Sequence, residues 1–144
     1  MPTDADRIAI DRLIRDWVRA VHAGDLDGVS ADHADDIVMF DVPPPYAGVR
    51  GLAAYRATWP DFFTWQAQGA EFALESLDLT VGDDVAFAHG LLRCGTPAEL
   101  AAKPDLRLRL TVGLVKRDGR WQVTHEHHSF ADDSATADDT ELAA

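Results

Sequence analysis

Three histidines and a glutamate occupy four consecutive positions, His125-Glu126-His127-His128, and Asp41 closes the apolar run Ile37-Val38-Met39-Phe40 just ahead of Pro43-Pro44-Pro45. Imidazole and carboxylate are the groups best suited to taking and returning a proton near neutral pH. Burial at a strand end would raise the pKa of Asp41 toward that of a useful general base. The alternative role for Asp41 is to cap the turn that follows it.

Alternation along a strand places His125, His127 and Ser129 on one face and Glu126 and His128 on the other, so only one set can line a cavity. The turn ahead of them sets the register. A two-residue Asp118-Gly119 turn puts Trp121, Val123 and His125 beside Leu114 and Val112. A three-residue turn with a Gly bulge shifts everything by one and pairs Glu126 and His128 with Leu110 and Leu108. Lys116-Arg117-Asp118-Gly119-Arg120 suits the longer turn. A metal-dependent alternative uses His125 and His127, with His89 or Asp41 completing a site. No helical His-x3-His and no clustered cysteine supports it, so the assignment carries no metal and no cofactor.

Over 85–93, Phe87, His89, Leu91 and Arg93 share a face, and polar groups on an apolar wall are typical of a small-molecule pocket. Arg93 either grips a carboxylate or enolate oxygen or makes a salt bridge at the sheet edge. Arg107 and Arg109 are assigned to solvent or dimer contacts. Tyr46, Trp59, Phe62 and Phe63 pack a helix onto the sheet, with some of them reaching the cavity wall, and Trp17 offers one N–H from the first helix.

These side chains need elements to hold them. Ile10, Leu13, Ile14, Trp17, Val18 and Val21 recur at helical spacing, with Thr3 or Asp4 as cap and Gly24 as stop. Asp25 caps a short second helix reaching about His33, and a strand over 37–41 follows. Residues 46–51 form a turn-rich connection, and a third helix starts near Leu52 with a kink or break at Pro60. Four β-rich runs, 72–81, 85–93, 106–117 and 120–130, are separated by turn residues, and Asp118-Gly119 makes the last two a hairpin. Helices first and antiparallel strands after them predict an α+β domain whose curled sheet encloses three helices around an open-ended cavity.

Composition bounds the partners. The 144 residues carry 13 Lys+Arg against 25 Asp+Glu, a net charge of −12, which disfavours nucleic acid and anionic membranes. A lone Cys94 makes no internal disulfide, no window approaches a membrane span, and no Sec-type signal is visible at the acidic N-terminus. The expectation is a cytoplasmic protein with one domain over 1–130 and an acidic, solvated tail over 131–144. Without the five acids of that tail, 20 acids face 13 bases, leaving −7.

The order of elements and its punctuation resemble the nuclear-transport-factor-2-like superfamily, in its SnoaL-like or ketosteroid-isomerase-like branch. The residues that carry the resemblance are Phe40-Asp41-Val42-Pro43-Pro44, Tyr46-x-Gly48-x-Arg50-Gly51, Gly82-Asp83-Asp84-Val85-Ala86, Lys116 to Trp121, and His125 to Ser129. Trp121-Gln122-x-x-His125-x-His127-x-Ser129 is also similar to the last strand of the association domain of calcium/calmodulin-dependent kinases.

The resemblance implies a cone-shaped sheet over 5–130. It places Asp41 at the strand end that bears the proton-shuttling carboxylate of ketosteroid isomerases. In the kinase association domains the residue matching His128 faces the pocket, which favours Glu126 and His128 inward. The isomerase oxyanion hole needs a first-helix tyrosine, and here that helix offers Trp17, which argues against steroid isomerisation.

The leading expectation is a small-molecule enzyme acting on a cyclic or polyketide-like carbonyl compound, an isomerase, cyclase or dehydratase without cofactor. Asp41 would move the proton, and His128 or Arg93 would stabilise the oxyanion. A non-catalytic ligand-binding or dimerisation module is the alternative. Each reading implies a homodimer, because the outer sheet face carries groups that prefer cover.

Overall fold

A computed structural model describes residues 1–132. The element order is α1 (Asp4–Ala23), α2 (Leu26–Ser30), β1 (His33–Phe40), β2 (Val49–Arg50), α3 (Leu52–Ala57), α4 (Trp59–Gln66), β3 (Glu71–Val81), β4 (Val85–Gly95), α5 (Pro97–Ala102), β5 (Leu108–Arg117) and β6 (Arg120–Ser129). The proposed tail lies outside the described residues beyond Asp132.

Thr3 caps α1 in a reciprocal box. Its hydroxyl accepts from the Asp6 N–H at 3.1 Å, and the Asp6 carboxylate accepts from the Thr3 N–H at 2.9 Å. Gly24 ends the helix at φ 69°, where a side chain would be strained. The apolar stripe Ile10, Ile14, Trp17, Val18, Val21 is buried, as its spacing predicts. Asp6 also ties the helix start to the sheet, its Oδ1 accepting from Lys116 Nζ at 2.9 Å and Trp121 Nε1 at 3.0 Å.

Four local expectations change. The second helix stops at Ser30, and Asp32 at φ 56° turns the chain so that His33 opens β1 four residues earlier than the sequence predicts. The helix expected from Leu52 divides into α3 and α4, with Pro60 in the first turn of α4, where its missing N–H costs nothing. The connection over 46–51 contains the short strand β2. Gly95-Thr96-Pro97 leads into α5, boxed by Thr96 and Glu99, which delays β5 to Leu108.

The single six-stranded sheet has the order β2-β1-β6-β5-β4-β3. All pairs are antiparallel except β1 with β6, which run parallel. That parallel pair carries His33 and Phe40 alongside the last strand. It brings together side chains more than eighty positions apart in sequence.

The β5–β6 turn has two residues: Arg117 pairs Arg120, and Asp118 and Gly119 both take positive φ. The chain thus takes the shorter of the two turns, not the longer one expected from Lys116-Arg117-Asp118-Gly119-Arg120. The shift it was meant to supply occurs further along β6. Gly113 pairs His125 while Leu114 pairs Val123, so Thr124 is an extra residue, a β-bulge. Trp121 and Val123 face inward before the bulge, and Glu126 and His128 face inward after it, opposite Val112 and Leu110.

Candidate functional site

Glu126 is buried at the centre of the sheet's inner face, a position where an unpaired carboxylate would cost several kcal/mol (about 3–5). It is fully partnered. Oε2 accepts from His33 Nε2 at 2.5 Å and from the Tyr55 hydroxyl at 2.8 Å, and Oε1 accepts from His128 Nε2 at 2.9 Å. Trp17 Nε1 donates to the Tyr55 oxygen at 2.9 Å. His128 Nδ1 lies 3.3 Å from Asp41 Oδ1, and His33 Nδ1 donates to the Ala31 carbonyl at 2.8 Å. The chain therefore runs Asp41–His128–Glu126–His33, from the end of β1 across β6 to the start of β1.

Each ring nitrogen of His33 and His128 faces an acceptor, an arrangement that favours the imidazolium form of both rings. Burial pushes His128 down, but the carboxylates of Asp41 and Glu126 outweigh it and lift the imidazole to about 9. His33 is raised in the same way, burial being outweighed mainly by Glu126. For Glu126 burial acts upward and is overcome by His33 and His128, which hold the carboxyl at about 2. Burial beside Glu126 drives the Tyr55 hydroxyl well above its usual value.

Beside this network lies a cavity of about 520 Å³, within the size range of sites for small molecules. Asp41 and His128 are on its wall, together with Trp59, Phe62, Trp65, Phe72 and Phe130. The Asp41 side chain is 21% exposed, its Oδ1 accepting from the Val42 N–H at 2.8 Å as well as facing His128. Turn capping and cavity lining, set out as alternatives in the sequence, are both present in this one carboxylate.

Other site expectations are corrected. Glu126 stands behind His128 and does not line the cavity, and Trp17 stands behind Tyr55, edge-on to Trp59 and Phe72. Phe63 stacks on Trp59 from outside the cavity wall. Tyr46 is fully exposed, because the proline run carries the chain outward and leaves Val42, Pro43 and Pro44 on the wall instead.

His89 and Arg93 alternate as expected but on the outer face. His89 Nδ1 is 3.8 Å from Asp78 Oδ2, and Arg93 Nε is 3.2 Å from Glu71 Oε2. The buried face of β4 is Ala86, Ala88, Leu92 and Cys94, which hides no charged group. Arg93 is thus directed away from any oxyanion in the cavity. The expected oxyanion role of His128 is also altered, since both its N–H groups are directed at carboxylates.

Of the histidines in the metal alternative, His125 has its Nδ1 on the Val38 carbonyl at 2.7 Å, and His127 packs against Phe40. Among the described residues no group of three or more His, Cys, Asp and Glu is placed to hold a metal ion. Cys94 lines the cavity as an inert thiol, raised to about 12 by burial and by Glu99. Two residues of the network, His33 and Tyr55, have no site role in the sequence analysis. His33 follows a helix cap and carries no local sign of a partner 93 positions away.

A family model described as a SnoaL-like domain matches residues 10–133. The chain belongs to the SnoaL-like family. This SnoaL-like chain is 35% identical to an NTF2-like protein of unknown function from Pseudomonas putida KT2440, over 88% of this chain and 87% of that one, with a TM-score of 0.78. It shares its fold with an NTF2-like protein of cystatin-like fold from Novosphingobium aromaticivorans, at 20% identity, 96% and 88% coverage and a TM-score of 0.71. A candidate ketosteroid isomerase from Shewanella frigidimarina NCIMB 400 is also similar, at 19% identity, 84% and 94% coverage and a TM-score of 0.65. No curated protein matches the chain. No helix among the described residues of this SnoaL-like protein is long and apolar enough to cross a membrane.

Proposed function

We propose that the cavity binds a small cyclic or polyketide-like carbonyl compound and that Asp41 moves a proton on it, in an isomerase, cyclase or dehydratase type of reaction without cofactor. The observation that carries this reading is the placement of Asp41. Its Oδ1 is fixed by the Val42 N–H and faces His128, while Oδ2 has no hydrogen-bond partner among the described residues. A carboxylate held by one oxygen on an apolar wall suits proton abstraction next to a carbonyl. Asp41→Asn tests it. Turnover of a candidate substrate should fall by about 100-fold or more with ligand affinity retained, and unchanged turnover would refute the role.

A second reading, ligand binding without chemistry, is favoured by one observation. Tyr55 and His128, the donors that would stabilise an oxyanion, point their hydrogens at Glu126 and Asp41. Under either reading we assign the outer sheet face, where Phe40, Val85, Phe87 and Leu91 are exposed, to a homodimer contact. Sedimentation as a compact monomer at micromolar concentration would overturn that assignment.

A further inference from the structure

The charged groups on the cavity wall have one predominant sign. Asp41, Asp61 and Glu99 come from three separate elements, the end of β1, the first turn of α4 and the first turn of α5. Among the described residues the one basic side chain on the wall is His128, already placed between Asp41 and Glu126. No lysine or arginine lines the cavity among the described residues, and Lys103 lines an adjoining hollow with Glu99 and Phe130.

Glu99 uses Oε1 to accept the Thr96 N–H at 3.1 Å, and Asp61 has no ion-pair partner among the described residues. Between these acids the wall is aromatic: Trp59, Phe62, Trp65, Phe72 and Phe130. Ring faces attract cations, an effect that strengthens as the cation is desolvated, and the excess of acids over bases draws cations toward the protein. A carboxylate-bearing ligand would enter against Asp61 and Glu99, with His128 already placed between Asp41 and Glu126.

We propose that the cavity selects molecules that join an aromatic or polycyclic body to a protonated amine. The body fills the aromatic wall, and the ammonium is held by ring faces and by the carboxylates of Asp61 and Glu99. This rests on the cavity being the ligand site but is independent of whether Asp41 performs chemistry.

The test is a matched series on one ring system, tryptamine, tryptophol and indole-3-acetate, titrated into the full chain and followed by the indole N–H signals of Trp59 and Trp65. Tryptamine should bind about tenfold more tightly than tryptophol, equivalent to about 1.4 kcal/mol, and indole-3-acetate more weakly than both. The amine's advantage should shrink in high salt and in Asp61→Asn and Glu99→Gln, the latter preserving the Thr96 cap. Equal binding of all three, or tighter binding of the acetate, overturns the charge selectivity and leaves the cavity as a ligand site. Tryptamine that shifts surface signals without moving Trp59 or Trp65 overturns the proposal too. If no compound moves those signals, both the proposal and the assignment of the cavity as the ligand site fall.

Discussion

Glu126 Oε1 lies 2.9 Å from His128 Nε2, while the other oxygen of the same carboxylate takes His33 and Tyr55. One buried acid thus compensates two buried imidazoliums, and Asp41 balances the second of them from the cavity side. The same group that stabilises the interior also orients the histidine that faces Asp41.

Glu126→Gln keeps the size of the side chain and removes its charge, leaving His33 and His128 buried without their shared counterion. The expected loss is about 3 kcal/mol at neutral pH, measured as a lower urea midpoint at unchanged m-value. A loss below about 1 kcal/mol would mean that the two rings are neutral in the folded protein.

Stability should peak in mildly acidic solution. The folded pKa of His128 is raised from 6.5 to about 9, so its contribution is whole below about 6.5 and is lost as pH rises through 9. Glu126 is depressed from 4.5 to about 2, so its contribution is whole above about 4.5 and is lost as pH falls through 2. Urea midpoints across pH should therefore level off between about 4.5 and 6.5 and decline on the alkaline side by a few kcal/mol in total, about 3 from His128. In Glu126→Gln the alkaline decline should shrink.

Asp41→Asn removes the carboxylate on the outer side of His128. Because Asp41 is partly exposed, stability should change by less than about 1 kcal/mol. The imidazole of His128, followed by nitrogen NMR, should then titrate below about 9. An unchanged His128 titration would show that Glu126 alone holds the ring charged.

Tyr55→Phe deletes a hydroxyl that donates to Glu126 and accepts from Trp17. It leaves the indole N–H of Trp17 buried without an acceptor, at a cost of about 1–3 kcal/mol. Trp17→Phe in the same background should then cost less than it does alone, and strict additivity in the double-mutant cycle would argue against the coupling.

Much of this frame was legible in the sequence because its signals are local. The 3.6-residue stripe of α1, the break at Pro60 and the Asp118-Gly119 hairpin each depend on residues within a turn or two of one another. Thr96 and Glu99 also spelled a capping box, but Gly95 and Pro97 beside them read as a turn. The site was legible only in part. Asp41 and His128 stood out by type, whereas His33 meets Glu126 only because β1 runs parallel to β6, a pairing without local trace. On β4 the alternation was plain, but the large residues Phe87, His89 and Leu91 face out, while Ala86, Ala88, Leu92 and Cys94 face in. A hydrophobicity count favours the wrong side there, and the rule against burying unpaired charge decides it.

The supernumerary Thr124 has a consequence for comparing this chain with its kin. It splices two phases into one strand, so Trp121 and Val123 build core while Glu126 and His128 build the charged centre, with His125 and His127 turned out. A homologue of the same length whose last strand pairs without the bulge would present the histidines matching His125 and His127 to the interior, whereas one that simply lacks Thr124 would keep Glu126 and His128 inward. Among such proteins, the same run of histidines can thus belong to a reaction chamber in one and to an outer surface in another.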